Sequence, residues 1–124
     1  MSKVVVVWKT ENEIDIHNFV IPYVYNSKKQ GWFDEVEVLI WGASQEKVMN
    51  TPLIQDRIKI LIKDDIKIYA CKMCADHVGA TQLLEDLGVE VMYTGVYLSD
   101  NLKDSNTEVI KIEEVIKKYR TEKQ

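Results

Sequence analysis

Short runs of β-branched residues alternate with helix-like segments along the chain, and this alternation restricts the folds that it can adopt. The first run, Val4 to Trp8, is continuously apolar, as in a strand that is covered on both faces. Further strand-like runs follow, separated by helical patterns. The sequence therefore predicts an α/β fold, with a parallel sheet, right-handed crossovers and helices on both faces. The predicted strands cover residues 4–8, 35–41, 66–70, 89–94 and 108–112.

The helix boundaries rest on capping and termination signals. Residues 10–13 have the form of a capping box with Thr10 as N-cap, which opens a helix to about Lys29. Thr51 precedes a proline at the first position of a further helix. Gly88 is placed as the C-terminal cap of another. The predicted helical segments cover residues 10–29, a short turn from 44, 51–63, 73–87 with a break at 79, 97–103 and 113–120.

The composition suits one compact domain spanning residues 1–124, with 113–124 as a C-terminal helix and charged tail. The chain has 124 residues, 46% of them hydrophobic, enough to bury roughly two thirds of the surface of the unfolded chain. The net charge is -4, and Lys and Arg are not clustered before the tail that follows Ile116. Nucleic acid is therefore not expected as a partner.

The longest early apolar run is far shorter than a signal-peptide core or a membrane span. We therefore expect a cytoplasmic protein with reduced thiols and no membrane partner. Neither a dinucleotide-binding glycine motif nor a P-loop occurs in the sequence, so nucleotide binding has no support and no cofactor is expected.

Several candidate site residues follow the predicted strands at one edge of the sheet. In open parallel sheets, ligands bind outside the carboxyl ends of the strands. Cys71 directly follows the third predicted strand and lies at this edge. Trp8 and Trp41, which end two strands, either wall a pocket over Cys71 or close the top of the core. The residues predicted to line a pocket here are Trp8, Thr10, Trp41, Gly42, His77, Thr94 and Gly95.

Cys71 and Cys74 are the only two cysteines of the chain, form a CxxC motif and are the predicted catalytic residues. Cys71 is expected at or just before the start of a helix, where unpaired backbone N–H groups point outward. These groups and Lys72 favour the thiolate, whereas Asp76 opposes it. The sequence therefore predicts a moderately activated thiol at Cys71.

Four interpretations of the motif are open on the residues alone. In the first, the Cys71 thiolate accepts sulfane sulfur, and Cys74 either resolves the persulfide or is incidental. In the second, the pair exchanges disulfides as thioredoxins do, although both prolines of the chain precede the motif. In the third, Cys71, Cys74 and His77 bind a metal, with a further ligand from water or another subunit. In the fourth, both thiols only pack in the core.

The apolar surface of the first predicted helix is wider than expected for a helix with one solvent-exposed face. Its polar residues fall on one narrow stripe, whereas apolar side chains spread over roughly 240°, against an expected width of a little over ~100°. His17 lies within this apolar arc. We therefore predict that the helix packs against its own sheet and against another subunit. Coverage by loops of its own chain is the alternative.

Two stretches of the sequence resemble a known family of small proteins. They are GWFDEVEVLIWGAS (31–44) and IKIYACKMCADHVGATQLLEDLGVEVMYTGVYLSDNLK (66–103). Together they resemble the DsrE/DsrF-like family, and within it a branch with a similar W-D-E-V-x-x-x-I-W-G stretch and an A-C-x-x-C-A motif. The likeness extends to about Ile112.

The resemblance implies a three-layer α/β/α fold with a five-stranded parallel sheet, and homo-oligomers that are commonly trimers or hexamers. It also implies sulfur-relay chemistry, in which a cysteine after the third strand carries sulfur as a persulfide between partner proteins. Cys71 matches that cysteine, whereas Cys74 has no counterpart in the relay members.

These observations lead to one expected function and one alternative. We expect a cytoplasmic sulfur-carrier or sulfurtransferase-accessory protein that holds sulfane sulfur on Cys71 and works with a sulfur donor and a sulfur acceptor protein. The alternative is a non-catalytic oligomeric binding module in which the CxxC motif is a metal or redox clip.

Overall fold

The core of the fold is a sheet of five parallel strands, found in the part of the chain that this computed structural model describes, residues 1–111. The strands are β1 (Lys3–Trp8), β2 (Glu35–Ile40), β3 (Lys67–Cys71), β4 (Glu90–Met92) and β5 (Thr107–Lys111). Their order is β4-β3-β2-β1-β5, and each neighbouring pair is parallel. The predicted α/β fold is confirmed.

Helical segments connect the strands. They are α1 (Glu13–Asp15), a π-helical turn (Ile16–Val20), α2 (Ile21–Lys29), α3 (Ala43–Asn50), α4 (Pro52–Lys63), α5 (Lys72–Val78), α6 (Thr81–Leu87) and α7 (Gly95–Lys103). Every strand differs from its predicted bounds by at least one residue; β4 has only three residues, and β3 extends to include Cys71. Residue 112 of the predicted fifth strand and the predicted helix 113–120 lie outside the described residues.

The first helix starts at Glu13, and the predicted capping box is wrong. Asn12 is the N-cap, because its Oδ1 accepts a hydrogen bond from the backbone N–H of Asp15 at 3.1 Å. The hydroxyl of Thr10 instead accepts from the backbone N–H of Asn12 at 3.1 Å. Both residue types are good helix caps. Thr10 is buried next to the indole of Trp8, which donates to the Thr10 carbonyl at 2.9 Å.

A π-helical turn precedes the proline of the first helix. Pro22 is the second residue of α2 and lacks the N–H that a regular helix would use. The backbone N–H of Ile21 donates to the carbonyl of Ile16, five residues earlier. Such a turn is a usual way for a helix to absorb a local break in its hydrogen-bond pattern, and the helix continues to Lys29.

The two faces of the sheet carry separate apolar clusters. From β1 to β4 the chain steps in one direction, so right-handed crossovers place α1 to α6 on one face. The chain then returns past three strands to β5, which places α7 on the other face. The cluster on the first face includes Val4, Val6, Trp8, Ile54 and Ile58. The cluster on the second face consists of Val5, Val7 and Leu39, with Trp41, Tyr69, Tyr97, Leu98 and Val109 packed against it.

A buried carboxylate anchors α7 to the second face. The hydroxyl of Tyr97 donates to Glu37 Oε1 at 2.6 Å, and Glu37 is 8% exposed. Lys3 Nζ lies 3.7 Å from the same oxygen. Burial, followed by the hydrogen bond to Glu37, raises the pKa of Tyr97 far above its ordinary range, so Tyr97 remains a neutral donor.

We expect the Tyr97→Phe substitution to lower the free energy of unfolding by about 1.5–3 kcal/mol, since a hydrogen bond to a charged group contributes about this much. The phenyl ring keeps its contact with Tyr69, where the centroids are 4.7 Å apart. Urea denaturation of both proteins measures the difference. Tyr93→Phe is the matched control because Tyr93 is 72% exposed. An equal effect of the two substitutions would contradict the anchoring role.

Candidate functional site

The candidate site lies where β2, β3 and β4 end. Cys71 is the last residue of β3 and immediately precedes α5, whose first turn contains Cys74. Gly42 precedes α3, and Thr94 precedes α7. The strand ends thus bring together four of the predicted residues, as expected for the carboxyl edge of a parallel sheet.

Gln45, on α3, links the ends of two strands and was not predicted from the sequence. Its Nε2 donates to the carbonyl of Ile40, at the end of β2, at 3.1 Å. The same nitrogen donates to the carbonyl of Cys71, at the end of β3, at 3.2 Å. Gln45 is completely buried. The signal in the sequence is a polar residue three positions before Val48, on the face of α3 that is buried.

The two thiols differ in exposure. Cys71 is buried, with 4% of its surface exposed, whereas Cys74 is half-buried. Cys74 lines an open cavity of about 680 Å³. The other lining residues are Gly42, Ala43, Glu46, Met73, Asp76, His77 and Val78. Of the two cysteines, the half-buried Cys74 therefore lines this cavity, whereas the buried Cys71 does not.

Hydrogen bonds activate the Cys71 thiol. Burial raises the pKa of Cys71, but hydrogen bonds to its sulfur outweigh burial, and the net pKa is below the ordinary value of 9.0. The contributing groups, in order of effect, are the backbone N–H of Cys74, the side chain of Cys74, the side chain of Thr94 and the backbone N–H of Met73. The direction agrees with a thiolate that accepts hydrogen bonds.

The pKa of Cys74 is shifted in the opposite direction. Burial is the largest cause and raises it. The backbone N–H of Gly42 and the Trp41 side chain lower it, whereas the hydrogen bond with Cys71 and the charge of the Cys71 thiolate raise it. The net pKa lies above 9.0. The two pKa shifts therefore favour the thiolate at Cys71 over the thiolate at Cys74.

Thr94 is a buried hydroxyl beside Cys71. It is 2% exposed, and its Oγ1 has no hydrogen-bond partner within residues 1–111. Its side chain nevertheless lowers the pKa of Cys71, so the hydroxyl lies close enough to donate to a thiolate. A buried hydroxyl without a partner costs free energy. A thiolate at Cys71 is the acceptor that the lowered pKa assigns to this hydroxyl.

The remaining predicted pocket residues are spread around this edge. Trp41 is half-buried and interacts with Cys74, and His77 is an exposed residue of the cavity wall. Gly95 is exposed at the first position of α7. Trp8 is completely buried in the core of the first face. Thr10 is buried and bonds to the backbone of the following loop.

Metal binding by the motif has no support from the described residues. Within residues 1–111, no three His, Cys, Asp or Glu side chains are grouped so that they hold a metal ion.

Lys72 and Asp76, which were expected to have opposite effects on Cys71, form an ion pair with each other at 3.0 Å. Asp76 also accepts a hydrogen bond from Thr81.

Comparison with known proteins identifies the family. The model of the DsrE/DsrF-like family matches residues 24–107, a range that contains Cys71, Cys74 and Thr94. This chain belongs to the DsrE/DsrF-like family. The predicted resemblance is thereby confirmed at the level of the family.

Two solved structures resemble this DsrE/DsrF-like chain. BT1422 of Bacteroides thetaiotaomicron, a conserved protein of unknown function, is 30% identical, with a TM-score of 0.85 over 89% of this chain and 94% of that chain. The ychN protein of E. coli is 18% identical, with a TM-score of 0.65 over 89% of this chain and 100% of that chain. The second likeness shows the fold alone. No curated protein matches the chain.

In the described residues, no helix of this DsrE/DsrF-like chain is both long and apolar enough to cross a membrane.

Proposed function

We propose that this chain is a cytoplasmic sulfur-carrier or sulfurtransferase-accessory protein that holds sulfane sulfur as a persulfide on Cys71. The observation that carries the proposal is the lowered pKa of Cys71 at the carboxyl end of β3, in a chain of the DsrE/DsrF-like family. A thiolate is the form that attacks a sulfur donor. The donors around Cys71 also suit a persulfide, whose outer sulfur is an anion that needs hydrogen bonds when buried.

Partner proteins would reach the site from the edge where β3 and β4 end. Three large apolar side chains are exposed on the segments that carry Cys74 and Thr94. They are Met73, Tyr93 and Val96, at 67%, 72% and 74% exposure. A sulfur donor or acceptor protein that covers them would also exclude water from the persulfide.

Self-association is part of the same proposal, as a trimer or hexamer. Ile14 on the first helix is 69% exposed, and the Nδ1 atom of the half-buried His17 has no hydrogen-bond partner in the described part of the chain. A second subunit against this helix would cover the first and offer a partner to the second. Sedimentation velocity tests this: a monomer at all concentrations would contradict it.

The persulfide is tested by loading the reduced protein with a small persulfide donor and measuring intact mass. We expect one added sulfur atom, about 32 Da, on Cys74→Ser and none on Cys71→Ser. The matched pair differs only in which thiol remains, so equal loading of both variants would contradict the assignment of Cys71 as the specific carrier. Absence of added sulfur on both variants would contradict the proposed function as a whole.

A dithiol–disulfide redox function is the second candidate. The opposite pKa shifts of Cys71 and Cys74 favour it, because thiol–disulfide exchange uses one activated thiol and one resolving thiol. Equilibration with glutathione buffers measures the reduction potential of the pair. A disulfide that forms reversibly in a protein that takes up no persulfide would favour the redox function over the carrier.

A further inference from the structure

Cys74 occupies a position that the carrier function alone does not explain. It is three residues after Cys71, within one turn, and its side chain hydrogen-bonds with the Cys71 sulfur. Cys74 also lines the cavity of about 680 Å³, whereas Cys71 is 4% exposed and does not. A sulfur atom held on Cys71 therefore has a second, less buried thiol as its neighbour.

We infer that Cys74 is a resolving thiol that discharges the Cys71 persulfide, releasing the sulfane sulfur as hydrosulfide and leaving a Cys71–Cys74 disulfide. This inference rests on the proposed function, since it needs a persulfide on Cys71. It assigns Cys74 a reaction of its own. In the absence of an acceptor protein, the site then releases sulfide as a product.

The reaction balances without an external oxidant. The proton of Cys74 passes through solvent to the anionic outer sulfur of the persulfide, and the Cys74 thiolate attacks the Sγ atom of Cys71. The Cys71–Cys74 sulfur–sulfur bond forms, and the bond between Cys71 Sγ and the sulfane sulfur breaks. The electron pair of the broken bond leaves with the sulfane sulfur as hydrosulfide. The Cys74 sulfur is oxidised, and the sulfane sulfur is reduced.

The exposure of the two sulfurs also determines how the site is reset. Two equivalents of a small thiol such as glutathione supply the electrons. The incoming thiolate reaches the Cys74 sulfur more readily, because Cys74 is half-buried and lines the cavity, whereas Cys71 is buried. Attack there expels Cys71, whose lowered pKa makes it the better leaving group. The second thiol then releases Cys74, and both cysteines are again reduced.

The protonation of Cys74 slows this discharge. The raised pKa of Cys74, caused first by burial, leaves most of this thiol protonated near neutral pH. Only the thiolate attacks sulfur. An acceptor protein that docks at once can therefore take the sulfur before Cys74 does.

The test compares wild type, Cys74→Ser and Cys74→Ala after anaerobic loading with one equivalent of glutathione persulfide and removal of small molecules. Intact mass and released sulfide are followed with time. We expect both variants to keep the added mass of about 32 Da. Wild type is expected to lose it, to finish about 2 Da below the reduced protein, and to release about one equivalent of sulfide.

The outcomes separate this inference from the proposed function. If the variants gain sulfur and wild type retains its persulfide for as long as they do, the resolving role is wrong and the carrier function stands. If wild type forms the disulfide without sulfide, the disulfide arises by another route and the inference is also wrong. If neither Cys74 variant gains sulfur, the carrier function fails, and the inference fails with it.

Discussion

The two thiols of the reduced protein are expected to ionise in separate steps, Cys71 below the ordinary thiol pKa of 9.0 and Cys74 above it. Thiolate absorbance at about 240 nm follows both steps and does not require either sulfur to be accessible to a reagent. A thiolate at Cys71 is stabilised by donors, and its charge then opposes the ionisation of Cys74. A single step for both thiols would contradict this arrangement.

Single variants identify the steps. In Cys71→Ala, the remaining Cys74 is expected to titrate at a lower pH than in wild type, because the hydrogen bond and the charge that raise its pKa are gone. In Cys74→Ala, Cys71 is expected to titrate at a higher pH, because it loses the side-chain donor but keeps the backbone N–H. Shifts in the opposite directions would show that the two thiols do not interact as described.

The same pKa shifts make stability depend on pH. Folding lowers the pKa of Cys71, so its contribution to stability is complete above 9.0 and is lost as the pH falls through the folded value. Folding raises the pKa of Cys74, so its contribution is complete below 9.0 and is lost as the pH rises through the folded value. The Cys71→Ala/Cys74→Ala double variant is expected to lack both dependences in urea denaturation.

The sheet was predictable because burial on both faces leaves a direct pattern in the sequence. Val4 to Trp8 is continuously apolar, and each of these residues is indeed at most 3% exposed. The exact helix start was not predictable in the same way. Thr10 and Asn12 are both good caps, and the choice depends on the burial of Thr10 beside Trp8, a tertiary contact.

The exposure of the two thiols was not predictable from the motif. Which of them faces the cavity depends on the turn between β2 and α3, where Gly42 has φ 70° and ψ -137°, a backbone conformation that favours glycine. That turn places a backbone N–H and the Trp41 side chain at Cys74. The sequence shows that a glycine follows β2, but not the direction in which its N–H points.

Gln45 shows a second limit of the sequence pattern. In a helical sequence pattern, a polar residue usually indicates a position that is exposed to solvent. Gln45 is nevertheless completely buried, because its amide donates to the carbonyls of Ile40 and Cys71. Such a link between two strand ends is visible only when both ends are in place, so periodicity alone predicts the helix but not this contact.

Replacement of Thr94 by valine is expected to slow persulfide formation on Cys71 by at least about tenfold at neutral pH, since a hydrogen bond to a charged group contributes about 1.5–3 kcal/mol. Valine has nearly the shape of threonine, so the substitution removes the donor and little else. The rate is followed by intact mass after acid quenching, in a Cys74→Ala background where the resolving step is absent. Thr94→Ser, which keeps a hydroxyl, is the matched control.

If Thr94 only supported the fold, Thr94→Val would change the free energy of unfolding and not the rate of persulfide formation. The Thr94 hydroxyl has no hydrogen-bond partner among residues 1–111, so its removal breaks no bond at a pH where Cys71 is protonated. The free energy of unfolding at about pH 5 is therefore expected to be unchanged or higher in Thr94→Val, because an unpaired buried hydroxyl is itself destabilising. A loss of stability at that pH together with an unchanged loading rate would show that Thr94 supports the fold and does not position the sulfur.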